Sequence, residues 1–449
     1  MAITLGSRFM ASQFTLFRTR RFTPMFFTQF LGAFNDNFFK QALLLVLTYS
    51  AAAKMGSSVS LLNNLAAMLF ILPFFLFSAL AGQLADKYEK SRLTVYIKIL
   101  EIVIMVLAAF GLIFEIYWLL FVALFLLGAQ STFFGPIKYA YLPQAMHKDE
   151  LVGANALFQT GTSLSILMGM IVAGVFTQLD NHLYWVSAMA LLIAGLGLLS
   201  SKFVPHMPAV EPNIKINWNI FSTSMDTVKY LYSLPLLFFI ILGNSWFWFY
   251  GATFLTQTPE FSKVILNGNE SVVIFLLTLF SVGVSIGSLL CKTLTKNQVS
   301  FKLLPFGIAG LSVFAIDLYF SLSALNINSS TLLGIGELSQ VPGSWRVFAD
   351  LFFLVVSGGL YIVPLYASMQ AYSPISHRAR VIGANNIFNA IFMVTSAIFA
   401  IVILNVLKLS LPQLFLVTGI LNIMFGVFLY FKLKQYKDTM QIQQDAMIM

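Results

Sequence analysis

The chain alternates long apolar stretches with short polar punctuation. Runs of about 20 apolar residues recur from end to end, each long enough to cross ~30 Å of hydrocarbon as a helix. Twelve spans are predicted, at 23–50, 59–84, 92–114, 118–141, 152–178, 183–204, 234–257, 271–294, 301–323, 347–370, 379–407 and 411–433. Runs such as Val103–Phe114 do not alternate apolar with polar residues, so membrane β-strands do not fit. The longest polar connection, Pro205–Ser233, holds Pro205, Pro208 and Pro212 and suits a linker or an interfacial amphipathic segment. The pattern therefore divides into an N-terminal segment 1–22, a six-helix half 23–204, a linker 205–233, a second six-helix half 234–433 and a tail 434–449. A second polar stretch, Asn326–Ser344, reads as a loop.

Cation placement orients this pattern. Arg18, Arg20, Arg21, Lys87, Lys90, Arg92, Lys148, Lys202, Lys215, Lys229, Lys292, Lys296, Lys302, Arg378, Arg380, Lys432, Lys434 and Lys437 fall on one set of connections. The opposite set carries only Lys54, Lys263, Arg346 and Lys408. The first set is expected to be cytoplasmic, with both termini inside. Phe9, Met10, Phe14, Leu16 and Phe17 are interrupted by Ser12, Gln13 and Thr15, which does not match a cleavable signal peptide. An interfacial lead-in to the first span is expected instead.

Composition agrees. Hydrophobic residues are 59% of the chain, charged residues 10%, and the mean hydropathy is +0.85, whereas a soluble domain has about 25% charged residues. The net charge of +9 lies at helix ends, so no nucleic-acid partner is expected. Cys291 is the single cysteine and the four histidines show no ligand spacing, so no disulfide, metal or cofactor is expected.

The two halves are related. Val152-Gly153-Ala154-Asn155 recurs 230 positions on as Ile382-Gly383-Ala384-Asn385. At the same offset His147 matches His377, Lys148 matches Arg378, Gly128 matches Gly358 and Phe158 matches Phe388. Between spans two and three stands Gly82-Gln83-Leu84-Ala85-Asp86-Lys87-Tyr88-Glu89-Lys90-Ser91-Arg92. Asp86 can cap a helix N-terminus and pair with cations, Gly82 permits close helix approach, and Lys87, Lys90 and Arg92 are expected to hold the loop at the membrane surface. This stretch resembles the major facilitator signature, with Glu89 where that signature has Gly. The resemblance implies an all-α major facilitator fold of twelve transmembrane helices in two pseudo-symmetric halves, in which this loop is a conformational latch. The corresponding loop of the second half, Gly287-Ser288-Leu289-Leu290-Cys291-Lys292, keeps the Gly and the basic character but has no Asp.

Ionisable residues inside spans are costly and therefore functional candidates. Gln29, Gly32, Asp36 and Lys40 share one face of the first span. Asp36 lies roughly 22 Å along the axis from Arg21, near the midplane. Asp36 and Lys40 either neutralise each other within the helix or exchange partners with a zwitterionic head group. Lys138, between Pro136 and Pro143, either snorkels to the interface or lines a site, and the prolines are expected to loosen its helix. Lys98 and Glu101 read as structural, near the inner surface, and Asp317 as a weaker candidate near the outer end of its span. Asn155 and Gln159, with their repeat-related Asn385 and Asn389, read as packing glue, with cavity lining as the alternative. The seventh span has no ionisable residue from Leu236 to Pro259. Its Trp246, Phe249 and Tyr250 face lipid or line an apolar cavity.

Gln29-Phe30-Leu31-Gly32-Ala33-Phe34-Asn35-Asp36-Asn37-Phe38-Phe39-Lys40 resembles the first-span signature of the bacterial lysophospholipid transporters, a membrane unit also found fused to acyltransferase and acyl-acyl-carrier-protein synthetase domains. Gly135-Pro136-x-Lys138-Tyr139-x-x-Leu142-Pro143 and Gly153-Ala154-Asn155 are similar too. The resemblance implies flipping of lysophosphatidylethanolamine and related monoacyl lipids across the bacterial inner membrane, for re-acylation by a functionally coupled cytoplasmic acyltransferase or synthetase. It also implies head-group contact by Asp36 and Lys138. The candidate substrate set is Gln29, Asn35, Asp36, Lys40, Lys138, Asn155, Trp246, Tyr250 and Asn385, and a monomer is expected. Two rivals stand. A proton-coupled exporter of drugs or metabolites would use Asp36 as proton carrier. A membrane acyltransferase needs a His with an Asp five residues on; none of His147, His182, His206 and His377 has one, and the end of the chain at Met449 leaves no room for a soluble catalytic domain, so no enzyme is expected.

Overall fold

The structure, a computed structural model, describes residues 13–47, 59–296, 298–327 and 329–448. Expectations placed on Phe9, Met10, Ser12, Lys54 and the end of the first span lie outside the described residues. Among the described residues the α-helices run in the order α1 Thr23–Val46, α2 Val59–Lys87, α3 Lys90–Ile113, α4 Tyr117–Ala145, α5 Leu151–Phe176, α6 His182–Ser201, α7 Ile220–Tyr232, α8 Pro235–Glu260, α9 Glu270–Thr295, α10 Leu304–Ser323, α11 Ile335–Leu338, α12 Ser344–Tyr372, α13 Arg378–Ile401 and α14 Leu411–Ile448. Among the described residues the β-structure is one isolated bridge, which ties Gly268, before α9, to Leu333 of the second polar stretch.

Local chemistry sets the helix ends. Pro24 and Pro235 stand in the first turns of α1 and α8, where the missing N–H costs nothing. Glu115, Asn181, Lys296 and Lys408 adopt positive φ in the breaks between helices. The stretch Gly287–Lys292, expected as a loop, is helical and lies inside α9, which runs on to Thr295. The prolines expected to loosen the fourth span do not interrupt it: α4 is continuous from Tyr117 to Ala145 with Pro136 and Pro143 inside.

Among the described residues eleven helices are long and apolar enough to cross a membrane. The remaining expected span is α1, which carries Gln29, Asn35, Asp36, Asn37, Lys40 and Gln41 in 24 residues. The helices bury polarity and expose apolar surface. On α3, Tyr96, Val103, Val106 and Phe110 are exposed, while Lys98 and Glu101 are buried. That inversion suits a hydrocarbon solvent, in which charge must find partners inside the protein.

The chain forms two compact units. The first holds the described residues up to Ile220 together with Lys296, Gln298 and Pro374–Gly383; the second holds Phe221–Thr295, Val299–Ser373 and Ala384 onward. The boundary passes through α13, between Gly383 and Ala384. Inside the first unit α1 packs on α4 and α6, α2 on α4, and α3 on α4 and α6. Inside the second, α8 packs on α12 and α14, α9 on α12, and α10 on α12 and α14. These are the same five pairings between corresponding long helices of the two units, so the sequence repeat is also a repeat of packing. At its closest approaches the helix backbone requires glycine: a methyl on Gly128 of α4 would run into Phe70 O of α2. In the second unit the matching role falls to Gly359, which lies against Val284 O of α9, and not to Gly358.

The segment after α6 is non-helical through Asn219, with extended stretches on either side of a turn at Glu211–Ile214, and becomes helical at α7. It lies along the Gly82–Arg92 stretch. Val210 and Glu211 N–H donate to Asp86 O at 3.1 and 2.9 Å, Met207 N–H donates to Glu89 Oε1 at 2.8 Å, and Lys87 Nζ donates to Ile214 O at 2.8 Å.

Candidate functional site

The middle of the first unit contains charge. Asp36 of α1, Glu101 of α3 and Gln130 of α4 each lie near the midpoint of their helices, and all three are buried. Lys98 Nζ pairs with Glu101 Oε2 at 2.6 Å, and neither side chain is exposed. Asn35 Nδ2 donates to Glu101 Oε1 at 2.9 Å and Gln130 Nε2 to Oε2 at 3.3 Å. Ser131 Oγ donates to Asp36 Oδ2, while Asp36 Oδ1 has no hydrogen-bond partner. Space for the Lys98 ammonium comes from two glycines. A methyl on Gly32 would lie 2.5 Å from Nζ, and one on Gly197 of α6 would lie 3.8 Å from it.

Lys98 and Glu101, expected near the inner membrane surface, are thus buried at the centre of this network. The signal in the sequence was their i, i+3 spacing within an apolar run, which pairs them on one helix face. Gln130 and Ser131, adjacent polar residues in an otherwise apolar stretch of α4, were also missed.

The Asp36–Lys40 ion pair within α1 is not formed. Lys40 Nζ donates to Asn37 Oδ1 at 3.2 Å and lies 5.2 Å from the Phe70 ring centroid. Lys138 shares the Phe134 ring with Lys98. Its Nζ is 5.9 Å from the centroid of Phe134 and 5.1 Å from that of Tyr139, contacts that attract a cation weakly. Among the described residues no carboxylate lies within salt-bridge distance of Lys138, while Asp36, Lys98 and Lys138 interact electrostatically. Gln29 Oε1 accepts from Thr162 Oγ1 of α5 at 3.1 Å and its Nε2 is unpartnered.

The remaining candidates are not gathered here. Asn155 Nδ2 donates to Leu151 O of its own helix at 2.9 Å. In the second unit Asn244 Nδ2 donates to Asn385 Oδ1 at 3.1 Å, and the Asn389 carboxamide lies 2.9 Å from Ser245 Oγ. Trp246 Nε1 donates to Asn422 Oδ1 at 2.8 Å, with its ring stacked between Phe249 and Phe425. Tyr250 Oη donates to Leu311 O at 2.7 Å. The polar atoms of Trp246, Tyr250 and Asn385 are therefore engaged inside the second unit. Asp317, on α10, makes a two-bond pair with Arg346 of α12.

The stretch Gly82–Arg92, expected as a loop, is the end of α2, a break at Tyr88 and Glu89 and the first turn of α3, and it forms a second charged site of the first unit. Asp86 Oδ1 accepts from Ala379 N–H, at the start of α13, and Oδ2 accepts from Arg380 Nε, both at 3.2 Å. Arg380 also donates through Nη2 to Glu211 of the segment after α6. Glu89 replaces a glycine without strain: its φ is −66°, and its carboxylate caps α3 by accepting from Ser91 and Arg92 N–H. Burial alone would raise the Glu89 carboxyl, but the N–H groups of Met207, Ser91 and Arg92 outweigh that and hold it below the usual carboxylate range. Arg92 is exposed. Lys90, expected at the surface, is fully buried and its Nζ has no hydrogen-bond partner.

Comparison with known proteins agrees with this architecture. The profile of the Major Facilitator Superfamily matches residues 25–352. The "Lysophospholipid transporter LplT" of Photorhabdus laumondii is 26% identical over 361 residues, covering 78% of this chain and 80% of that protein. The protein of the same name from Escherichia coli O157:H7 is 25% identical over 346 residues, covering 76% and 78%. Among solved structures, the human organic anion transporter MFSD10 superposes with a TM-score of 0.69 at 14% identity, covering 91% of this chain and 99% of that one. The proton:xylose symporter XylE superposes with a TM-score of 0.68 at 13% identity, covering 92% and 96%. With its apolar helices, its internal repeat and its Asp86 stretch, this multi-pass membrane transporter belongs to the major facilitator superfamily and is related within it to the lysophospholipid transporters.

Proposed function

We propose that the protein flips monoacyl phospholipids, lysophosphatidylethanolamine among them, from the outer to the inner leaflet of a bacterial inner membrane for cytoplasmic re-acylation. One observation carries this reading: in the first unit the buried Asp36 Oδ1 has no hydrogen-bond partner, and among the described residues neither Lys138 nor Lys40 has a carboxylate within salt-bridge distance. A zwitterionic head group offers both complements. Asp36 takes the ammonium, and Lys138, with Lys40 as the nearer alternative, takes the phosphate. The acyl chain needs no polar partner and lies on apolar helix surface. A sugar would need many more hydrogen-bonding groups than the network leaves open.

In this reading the halves 23–204 and 234–433, joined by 205–233, alternate access by rocking, and the Asp86 stretch with Lys87, Lys90 and Arg92 is the latch. The protein acts as a monomer, coupled functionally to a cytoplasmic acyltransferase or acyl-acyl-carrier-protein synthetase. The buried Asp36 carboxyl, bonded to Ser131, also fits a proton carrier in an exporter of drugs or metabolites.

The test is uptake of labelled lysophosphatidylethanolamine by proteoliposomes, with and without imposed ion gradients. Asp36→Ala is expected to abolish it. Wild-type rates in that variant would overturn the head-group assignment, and transport that strictly follows a pH gradient would favour the exporter.

A further inference from the structure

Two ammonium groups flank Phe134, and only one has a carboxylate. Lys98 Nζ is 5.2 Å from the ring centroid and Lys138 Nζ 5.9 Å. Glu101 holds Lys98 at 2.6 Å. The Glu101 carboxylate is itself fixed on both oxygens, by Asn35 and Gln130. Asp36, the residue after Asn35, keeps a free oxygen.

Lys98 is a cation placed to reach that oxygen. Its ammonium rests on Gly32, which lies four residues before Asp36 on the same face of α1, one helical turn or ~5.4 Å away. A lysine stem with four rotatable bonds covers that distance. In a medium of low dielectric two opposite charges at that range attract strongly. What keeps them apart is the shorter, better bonded pair with Glu101.

We infer that Glu101 is a specificity-determining positioning residue: by sequestering Lys98 it keeps Asp36 available to a substrate ammonium and biases the site towards zwitterionic over anionic monoacyl phospholipids. Asp36, Lys98, Glu101 and Lys138 together carry no net charge. Without the Glu101 charge they carry +1, Lys98 swings to Asp36, and Lys138 remains as a bare anion-binding ammonium. The lipid-selective part of this inference rests on the proposed function; the sequestration of Lys98 does not.

The experiment compares wild type, Glu101→Gln and the double variant Lys98→Met with Glu101→Gln, all purified and reconstituted. Binding of lysophosphatidylethanolamine and lysophosphatidylglycerol is measured, together with labelling of Asp36 by a hydrophobic carbodiimide, read by peptide mass spectrometry. Glu101→Gln is expected to weaken lysophosphatidylethanolamine binding about tenfold or more while leaving lysophosphatidylglycerol within about twofold, and the double variant is expected to recover most of the loss. Asp36 is expected to react in wild type and in the double variant and to be protected in Glu101→Gln. Equal losses for both lipids, no recovery in the double variant, or an unprotected Asp36 in Glu101→Gln would each overturn the inference. If Asp36 is protected as expected but wild type binds neither lipid, the lysolipid reading falls and the Lys98 sequestration stands.

Discussion

Asp86 and Arg380, far apart in sequence, meet at 3.2 Å at the start of α13, with the Asp86 side chain 1% exposed. Removing one partner of a pair this buried leaves an uncompensated charge, a loss of about 3–5 kcal/mol where relaxation is blocked. Here Glu211 remains beside Arg380 and softens it. Asp86→Ala is therefore expected to slow lipid uptake on the order of tenfold, ~1.4 kcal/mol in barrier, with equilibrium substrate binding nearly unchanged. Initial rates in proteoliposomes, set against binding isotherms, separate the two. A large loss of affinity would show that the stretch serves binding and not the cycle.

The segment after α6 predicts a companion effect. Glu211 reaches Arg380 while its own N–H and that of Val210 hold Asp86 O. Glu211→Gln keeps the backbone bonds and removes the charge. Uptake is expected to change in the same direction as in Asp86→Ala but by less, about two- to threefold, because Glu211 is partly exposed and solvent screens it. No change in initial rate would leave the segment a passive tether.

How far the sequence reached is seen in these residues. Span lengths and apolar runs placed eleven of the long helices, because hydrocarbon thickness acts on length and composition, which a sequence states outright. Asp36 stood out for the same reason, as an ionisable residue in an apolar run. Lys98 and Glu101 were visible as residues but not as a centre. Their role depends on Gly32 and Gly197 clearing room on two other helices, and such clearance has no one-dimensional signature. The aromatic run around Trp246 was equally plain, yet its indole partner is Asn422, on α14. Nothing in either stretch points to the other. Asp86 was read as a helix cap and an ion-pair member, and both hold; which helix and which cation are facts of the fold.

Trp246 and Asn422 supply a stability prediction. Asn422 is fully buried, accepting from Trp246 Nε1 and donating to Ile308 O and Ser312 Oγ. Trp246→Phe keeps much of the stack on Phe249 and Phe425 but leaves Asn422 Oδ1 without its donor, which costs about 1–3 kcal/mol. Lower thermal stability in detergent is expected, with the ratio of lysophosphatidylethanolamine to lysophosphatidylglycerol binding unchanged. A shift in that ratio would place Trp246 at the substrate.

Arg21 and Glu150 predict an acid limb. Arg21 Nη1 and Nη2 both reach the Glu150 carboxylate at 2.6 Å, and His147 N–H donates to it at 2.9 Å. Burial pushes the Glu150 carboxyl up, but its bonds to Arg21 and His147 outweigh that and hold it below the usual carboxylate range, while the bond to Glu150 raises Arg21. A carboxyl depressed in the folded state adds stability above its unfolded pKa and loses it as pH falls through the folded one. Glu150→Gln is expected to lower thermal stability at neutral pH and to flatten the loss on acidification. Unfolding profiles of variant and wild type that stay parallel from neutral to acid pH would dismiss the pair as a contributor.

Gly32 and Gly169 make a final contrast, because the same substitution meets different obstacles. A methyl on Gly169 of α5 would lie 2.6 Å from Phe34 O and 3.0 Å from Phe38 N, atoms of the α1 backbone that cannot move without the helix. A methyl on Gly32 would lie 2.5 Å from Lys98 Nζ, the free end of a flexible side chain. Gly169→Ala is thus expected to force α1 and α5 apart, with a cost of about 1–3 kcal/mol from overpacking and lower yield of folded protein. Gly32→Ala is expected to fold nearly as well but to push the Lys98 ammonium off its bed, disturbing its pair with Glu101 and slowing uptake severalfold. Melting temperature and uptake rate, measured on both variants, should therefore rank them in opposite orders. The same ranking by both measurements would mean that Lys98 is held by its own helix and neighbours, not by the room that Gly32 leaves it.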